Sequence, residues 1–427
     1  MNDLNEMSQG LESRIAAFQL LNGVYIDKRT LAQLEKRITG SLVNQDQKFA
    51  MALAHATLKW DGALNRIIKQ FVQPKIGSSE RLVLKMGICQ MVFMDGVADH
   101  AAIHSAVELS RAVGIERASK LINGVLRSIQ RAKLSVHDYS KSETVSKWVA
   151  RSIKAHYGAE ADLILSTLLE EPSVYVRRRD ERASDEHLAA AEGLKNVYKL
   201  PKDMPLNYLD GWDEGAYVVQ DVSAQCPAQV VADLYEQNKL SGSVLDMCAA
   251  PGGKTIQLFD LLPQASHVAC ELSEKRANRL QENLSRCKVK AEVKVQDAAT
   301  LEGAYDAILL DAPCSALGTT RRHPDVFFTR SSHGIEELTH LQERLLQKAC
   351  ALILKNGVVV YATCSLLPEE NEHLLTKFLE KNKDMQLVDL SAYRWPSMIN
   401  APMAGTIRLS PSKGGDGFFV AALKKVQ

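Results

Sequence analysis

No two of the eight cysteines in this chain form a C-x-x-C pair, which argues against a zinc ribbon or a thioredoxin-like site. The start, Met1-Asn2-Asp3-Leu4-Asn5-Glu6, has neither the basic region nor the apolar core of a signal peptide. No apolar run reaches transmembrane length. Net charge is also lacking: 52 Lys and Arg stand against 51 Asp and Glu. No global field announces a nucleic-acid partner, although a local basic face can hide in a neutral sum. Together these absences predict a cytoplasmic protein with reduced, mostly buried thiols, no metal and no membrane contact. What remains is ordinary for a globular protein: 46% hydrophobic, 24% charged and 427 residues, enough for two or three domains.

Residues up to about 140 read as helical. Ser13 to Tyr25 sets Ile15, Phe18, Leu21, Val24 and Tyr25 on one face, and Ala50 to Phe71, Ala101 to Val113 and Ala118 to Ile129 continue the pattern. From about 145 to 210 the pattern is mixed, with helices expected over Ser146 to Tyr157 and Ala161 to Leu169. A short strand at Val174-Tyr175-Val176 then enters Arg177-Arg178-Arg179. This run reads either as a solvated face or as a phosphate-contacting edge. From about 216 onward, strands are expected at 243–248, 266–271, 291–296, 306–311, 357–363, 385–390 and 418–424. Helices at 254–262, 273–286, 335–354 and 369–382 fall between several of them. The alternation predicts a doubly wound parallel sheet. The last two strands lack a clear helix between them, which predicts an antiparallel edge strand.

The stretch Val244-Leu245-Asp246-Met247-Cys248-Ala249-Ala250-Pro251-Gly252-Gly253-Lys254-Thr255 is a strand, a small-residue loop and a helix start. Small residues let backbone approach a ligand, and a helix N-terminus favours electronegative groups. A phosphate-binding P-loop needs Gly where Cys248 stands, and G-x-G-x-x-G is absent. The remaining reading is an S-adenosylmethionine loop. Glu271, ending the second strand, is placed to accept both ribose hydroxyls. Asp297, ending the third, is placed to receive the adenine amino group. Each acid alone reads more readily as a helix cap or a solvated turn residue; three together beside this loop favour the ligand.

Two thiols follow apolar strands: Cys314 in Asp311-Ala312-Pro313-Cys314-Ser315 and Cys364 in Thr363-Cys364-Ser365. Ligands and chemistry in open α/β sheets collect beyond the strands' carboxyl ends. A thiolate adding to carbon 6 of a cytosine makes carbon 5 nucleophilic towards a methyl donor. A second thiol can serve the release step, and Asp311 is the acid that could hold or protonate ring N3. Residue types alone do not decide which cysteine attacks. Arg321-Arg322-His323, just beyond Cys314, reads either as a steer for a nucleic-acid backbone or as a solvated loop.

Several stretches carry a resemblance across roughly residues 215 to 425. They are Leu245 to Lys254, Asp311 to Ser315 with Gly318 and Thr319, Tyr361 to Ser365 with Pro368 to Asn371, Val219 to Asp221 with Ser223, and Arg408 to Pro411 with Asp416 to Phe419. On these the chain resembles the Sun/Fmu family of ribosomal-RNA 5-methylcytosine methyltransferases, of the bacterial RsmB type. The resemblance implies that Cys364 attacks and Cys314 serves release. It implies cofactor contacts at Cys248, Ala249, Ala250, Pro251, Gly252, Gly253, Lys254, Glu271, Asp297 and Asp311. Many members have Asp where Glu271 stands, and Arg276 reads as structural. Val97 to Leu109 and Leu121 to Arg127 resemble the NusB antitermination domain, which implies RNA binding or docking.

The implied fold is multidomain. An all-α NusB-like domain covers 1–140, a small α+β RNA-contacting subdomain 145–215, and an α/β Rossmann-like methyltransferase domain 216–427. In the second of these, Tyr175 to Arg179 departs from the family's commoner ending. The implied partner of a monomeric enzyme is small-subunit (16S) ribosomal RNA in an unassembled or single-stranded region, because a base must leave its stack to meet a thiol. Two rival readings are the same chemistry on transfer RNA, and a NusB-like assembly protein with a vestigial methylase half.

Overall fold

In a computed structural model that describes residues 3–73, 75–184, 186–202 and 204–425, the chain forms two compact units. One holds Met1–Ala155, Leu165–Glu170 and Thr320–Ser331; the other holds His156–Ile164, Glu171–Thr319 and Ser332–Gln427. Met1 and Asn2, which open the stretch read for a signal peptide, lie outside the described residues. No helix among the described residues is long and apolar enough to cross a membrane.

The first unit is helical: α1 (Asp3–Tyr25), α2 (Leu31–Thr39), α3 (Asn44–Lys59), α4 (Asp61–Phe71), α5 (Ser78–Val92), α6 (Asp99–Ala112) and α7 (Ser119–Ala132) share one apolar core. α1 buries Ala17, Leu20, Leu21 and Val24, whereas Ile15 and Phe18 of the expected face are only half-buried. The small Ala and Gly residues let a neighbour in: a Cβ on Gly23 would lie 2.6 Å from Leu34. The expected helix from Ala50 to Phe71 is two helices meeting at Trp60. The break fits the close approach at Gly62, where a Cβ would come 2.2 Å from the Glu143 carbonyl oxygen. α5 has no counterpart among the expected helices. Leu82 through Gln90 are all buried, so no polar face marks its period.

α8 (Lys147–Tyr157) and α9 (Ala161–Thr167) follow. In the second unit, β1 (Tyr175–Arg178), β2 (Ala189–Ala190), β3 (Val197–Lys199) and β4 (Tyr217–Val219) form an antiparallel sheet in the order β2-β3-β1-β4. Both readings of the arginine run need correction. Arg177 is 9% exposed and bonds Gln220 and Asp260. Arg179 grips both oxygens of Asp260 and the carbonyls of Gly215 and Cys287. The guanidinium forks are thus used inside the fold rather than on solvent or phosphate.

The main sheet is built from β5 (Ser243–Asp246), β6 (Ser266–Glu271), β7 (Glu292–Val295), β8 (Tyr305–Asp311), β9 (Ile353–Thr363), β10 (Met385–Val388), β11 (Met398–Ile399), β12 (Ile407–Leu409) and β13 (Phe418–Lys425). Its order is β11-β12-β13-β9-β8-β5-β6-β7, with β10 also paired to β13. β9, β8, β5, β6 and β7 are parallel. β13 runs antiparallel to β9, as expected of the last strand, but it is not an edge. The β11–β12 pair lies beyond it, and these strands of two and three residues are too short to leave a pattern. Alternate residues serve the two faces. Ile308 and Leu310 join a core with α14 (Ser332–Leu352) and α15 (Glu372–Lys381), while Ala307 and Leu309 pack with α10 (Cys226–Gln237). α11 (Gly253–Leu261) and α12 (Glu274–Arg286) complete the crossovers, and α13 (Val326–Thr329) belongs to the helical unit. Arg321 in that unit is buried, which corrects both the steering and the solvated-loop reading of its guanidinium.

Candidate active site

Strand order reverses at β5, which pairs with β6 on one side and β8 on the other. This switch point opens a crevice beyond the carboxyl ends of the strands, and Asp246 and Asp311 end the two strands that flank it. A cavity of about 200 Å³ occupies the place, lined among others by Asp221, Asp246, Cys248, Gly253, Lys254 and Asp311. A larger open cleft of about 1060 Å³, around Tyr175, Arg394, Trp395 and Met403, contains none of the expected site residues.

The loop after β5 is held from several sides. Ala249 N–H donates to the Cys270 carbonyl at 2.9 Å, Arg276 donates to the Ala250 carbonyl at 2.9 Å, and Asn283 to that of Pro251 at 2.8 Å. The Ala250–Pro251 peptide is cis, and Gly252 has φ +109°, a value that side chains disfavour. Asp246 is 2% exposed; its Oδ2 accepts the Thr255 hydroxyl at 2.7 Å, while its buried Oδ1 has no side-chain donor among the described residues. Burial raises the Asp246 carboxyl to about 6, against the opposing Thr255 bond. An orphaned acceptor beside a backbone loop of small residues fits a polar, cationic ligand such as the methionine part of S-adenosylmethionine.

Glu271 is 4% exposed; its Oε1 accepts Ser273 N–H at 3.0 Å and its Oε2 lies 3.4 Å from Arg276. Arg276, read as structural, therefore ties the loop to the second acid. Asp297 caps a short turn through Ala299 N–H at 2.9 Å, and its other oxygen lies 3.4 Å from Arg344. Neither Glu271 nor Asp297 lines the small cavity; they continue along the same carboxyl edge of the sheet.

On the other side of the crevice, Lys254 at the start of α11 donates to Asp311 Oδ2 at 2.6 Å and sits over the Phe418 ring at 5.3 Å. Burial alone would lower the Lys254 ammonium, but the Asp311 carboxylate raises it instead. The two strand-end thiols meet: Cys314 Sγ and Cys364 Sγ are 3.4 Å apart. Their surroundings differ. Cys364 is half-buried and lies near the Lys254 ammonium. Cys314 is 8% exposed and is pushed well above the usual thiol range by its bond to Cys364, by burial and by the Glu370 carboxylate.

The loops carrying the thiols are stitched by backbone. Gly318 N–H donates to the Cys364 carbonyl at 2.9 Å, and Gly417 N–H to that of Gly318 at 2.9 Å. A Cβ on Gly318 would strike the Gly417 carbonyl oxygen at 2.2 Å, so the crossing requires glycine. Sequence reasoning gave no role to Glu370, Asn371 or Asp221, all of which the fold brings to the site. Asp221 Oδ1 accepts the N–H groups of Ser223 and Asp416 at 2.9 Å. The signal for the first two was the stretch Pro368 to Asn371, which begins three residues after the Tyr361-to-Ser365 strand end.

Residues 233–424 match the family described as 16S rRNA methyltransferase RsmB/F, and residues 11–131 match the NusB family. A relative from Cronobacter sakazakii, ribosomal RNA small subunit methyltransferase B, is 31% identical over 98% of this chain and 100% of its own length. The chain belongs to the small-subunit ribosomal RNA methyltransferase B family. Its fold is accordingly a NusB-like helical region followed by a Rossmann-like methyltransferase. The crystal structure of PH0851 shares the fold with a TM-score of 0.77 and 21% identity, covering 98% of both chains. NSun6 from Pyrococcus horikoshii, solved with SFG, matches 66% of this chain and 98% of its own with a TM-score of 0.55 and 23% identity.

Proposed function

We propose that this enzyme methylates carbon 5 of a cytidine in 16S ribosomal RNA through a covalent adduct between Cys364 and the ring. S-adenosylmethionine, held along Cys248 to Lys254 and at Glu271, Asp297 and Asp311, supplies the methyl group as a sulfonium. The observation that carries the reading is the unequal setting of two thiols 3.4 Å apart: Cys364 faces the Lys254 cation and Cys314 faces the Glu370 carboxylate. The bond to Cys364, burial and the Glu370 carboxylate keep Cys314 as the thiol, which leaves Cys364 as the sulfur that attacks.

In this reading Cys364 sulfur bonds to carbon 6, and the ring electrons move to carbon 5. Asp311 holds Lys254 through Oδ2 and turns Oδ1 to ring N3, relaying to it a proton from the Lys254 ammonium as the ring gains electrons and taking that proton back when the carbon 6–sulfur bond breaks. After alkylation, carbon 5 loses its proton, the carbon 6–sulfur bond breaks and Cys364 leaves as thiolate. Cys314 serves this release as base or relay: as its sulfur takes the carbon 5 proton, its own proton passes to the departing Cys364 thiolate 3.4 Å away. Residues 1–140 and 145–215 hold the RNA, and 216–427 carry out the chemistry in the cytoplasm.

The test is an adduct assay with a labelled cofactor. Cys364→Ala should lose methyl transfer by at least about a thousandfold, as expected for a missing nucleophile. Cys314→Ala should accumulate protein covalently bound to RNA on a denaturing gel. An adduct with Cys364→Ala instead, or with neither variant, reverses or removes the assignment. Transfer to transfer RNA but not to ribosomal RNA would move the substrate, and no transfer by well-folded protein would leave an assembly role.

A further inference from the structure

Glu370 has no exposed surface, and none of the four hydrogen-bond donors at its carboxylate is a cation. One oxygen accepts Ser315 N–H at 2.8 Å and the Gln342 amide at 2.9 Å; the other accepts the hydroxyls of Ser315, at 2.5 Å, and Ser365. The two hydroxyls are themselves 3.0 Å apart. Ser315 follows Cys314 and Ser365 follows Cys364, so a single carboxylate ties together the residues after both thiols. Its neighbour completes the hold. The Asn371 amide donates to the Ser365 carbonyl at 3.0 Å and accepts the Thr363 hydroxyl at 2.5 Å, bracketing Cys364 from both sides. The Glu370 carbonyl in turn accepts the hydroxyl of Tyr361 on β9 at 2.7 Å.

A buried carboxylate without a cation is a costly way to join two loops. Apolar packing or a neutral amide could join them at less cost. What only the carboxylate adds is four acceptor positions, three filled from the two turns and one by Gln342 on α14, together with negative charge beside one of the two thiols.

We infer that Glu370 is a positioning residue that sets the spacing of Cys314 and Cys364 and, by its charge, divides their roles. The inference rests on the two-thiol chemistry proposed above. The geometric half comes from the four bonds. The electrostatic half comes from the groups that face Cys314, namely Cys364, Glu370 and the backbone at Ala316.

Glu370→Gln separates the halves, because an amide offers one acceptor and two donors to the same partners but carries no charge. Glu370→Ala removes both halves. The double variant Ser315→Ala/Ser365→Ala removes two tethers and keeps the charge. Each full-length variant is compared by kcat and KM for methyl transfer, and by the rate of iodoacetamide alkylation at Cys314 and Cys364 against pH, resolved by peptide mass spectrometry without RNA.

Glu370→Ala should lose about a hundredfold in kcat with KM within about threefold, as misplacement of reacting groups costs. Glu370→Gln should recover about tenfold of that loss. In both, Cys314 should alkylate at lower pH than in the parent, while the double serine variant loses rate but keeps the parent's Cys314 profile. Parent-like kcat in Glu370→Ala, or a Cys314 profile that does not move in Glu370→Gln, overturns the inference. Should Glu370→Ala fail to fold, the glutamine and double serine variants decide alone. Methyl transfer surviving in Cys364→Ala would defeat the two-thiol chemistry instead, and the alkylation profiles would still report on Glu370.

Discussion

Asp61 in the helical unit and Asp246 at the end of β5 are both buried acids, 9% and 2% exposed, and their surroundings differ. Asp61 has both oxygens partnered: Lys85 and the Tyr25 hydroxyl on one at 2.5 and 2.6 Å, and Asn65 on the other at 2.8 Å. Asp246 has Thr255 on one oxygen; the other has no side-chain donor among the described residues, with the Cys248 backbone and the Lys254 charge nearby. An acid buried with its cation is a solved structural problem, whereas one with an orphaned acceptor keeps a cost that only a ligand removes. The same contrast holds inside the catalytic unit, where Asp260 is filled by two arginines and Glu370 by neutral donors alone.

The contrast breaks most visibly at Lys85. Lys85→Met would leave Asp61 buried without its cation, a loss of about 3–5 kcal/mol in a protein interior. Urea unfolding followed by circular dichroism should show the helical transition moved by that amount, with affinity for S-adenosylmethionine unchanged. A change below about 1 kcal/mol would mean that Asp61 is hydrated after all and that the two acids are alike.

Asp246 makes the opposite prediction. Its carboxyl is held at about 6 by burial against an ordinary 3.8. Between those values the unfolded chain has released the proton and the folded chain has kept it. Stability of the ligand-free protein therefore falls as pH rises through the window, by up to about 3 kcal/mol. Asp246→Asn should flatten that slope, raise the thermal midpoint at neutral pH and weaken cofactor binding by at least about tenfold. An unchanged slope in the variant would assign the pH dependence to other groups.

Much of this was legible in the sequence where chemistry and periodicity coincide. The strand ends at Asp246, Glu271 and Asp311, and the loop to Lys254, are marked by residue type. The parallel strands are marked by continuous apolar runs. Other features leave no local trace. α5 is buried on all sides and has no polar face to give its period. The break at Trp60 follows from Gly62 approaching a backbone 81 residues away in sequence, at Glu143. The arginines at 177 and 179 looked solvated or RNA-facing because their partner, Asp260, lies over 80 residues on. Glu370 shows no role in the sequence, since its partners Ser315 and Gln342 become neighbours only once β8 and β9 pair.

The smallest effect belongs to Arg276, which sharpens the contrast from the solvent side. Its side chain is more than half exposed, yet it reaches both the Ala250 carbonyl at 2.9 Å and Glu271 at 3.4 Å. An exposed cation so placed contributes little to folding, so Arg276→Ala should leave the thermal midpoint nearly unchanged. What it holds is the loop against the second acid. Losing that restraint should cost about 1 kcal/mol of cofactor binding, about a fivefold rise in Kd by calorimetry. In a Glu271→Gln background the same substitution should cost less, because part of the restraint runs through that carboxylate. Equal costs in both backgrounds would show that Arg276 acts on the loop alone, and the acid at the end of β6 would then be organised by Ser273 without help from α12.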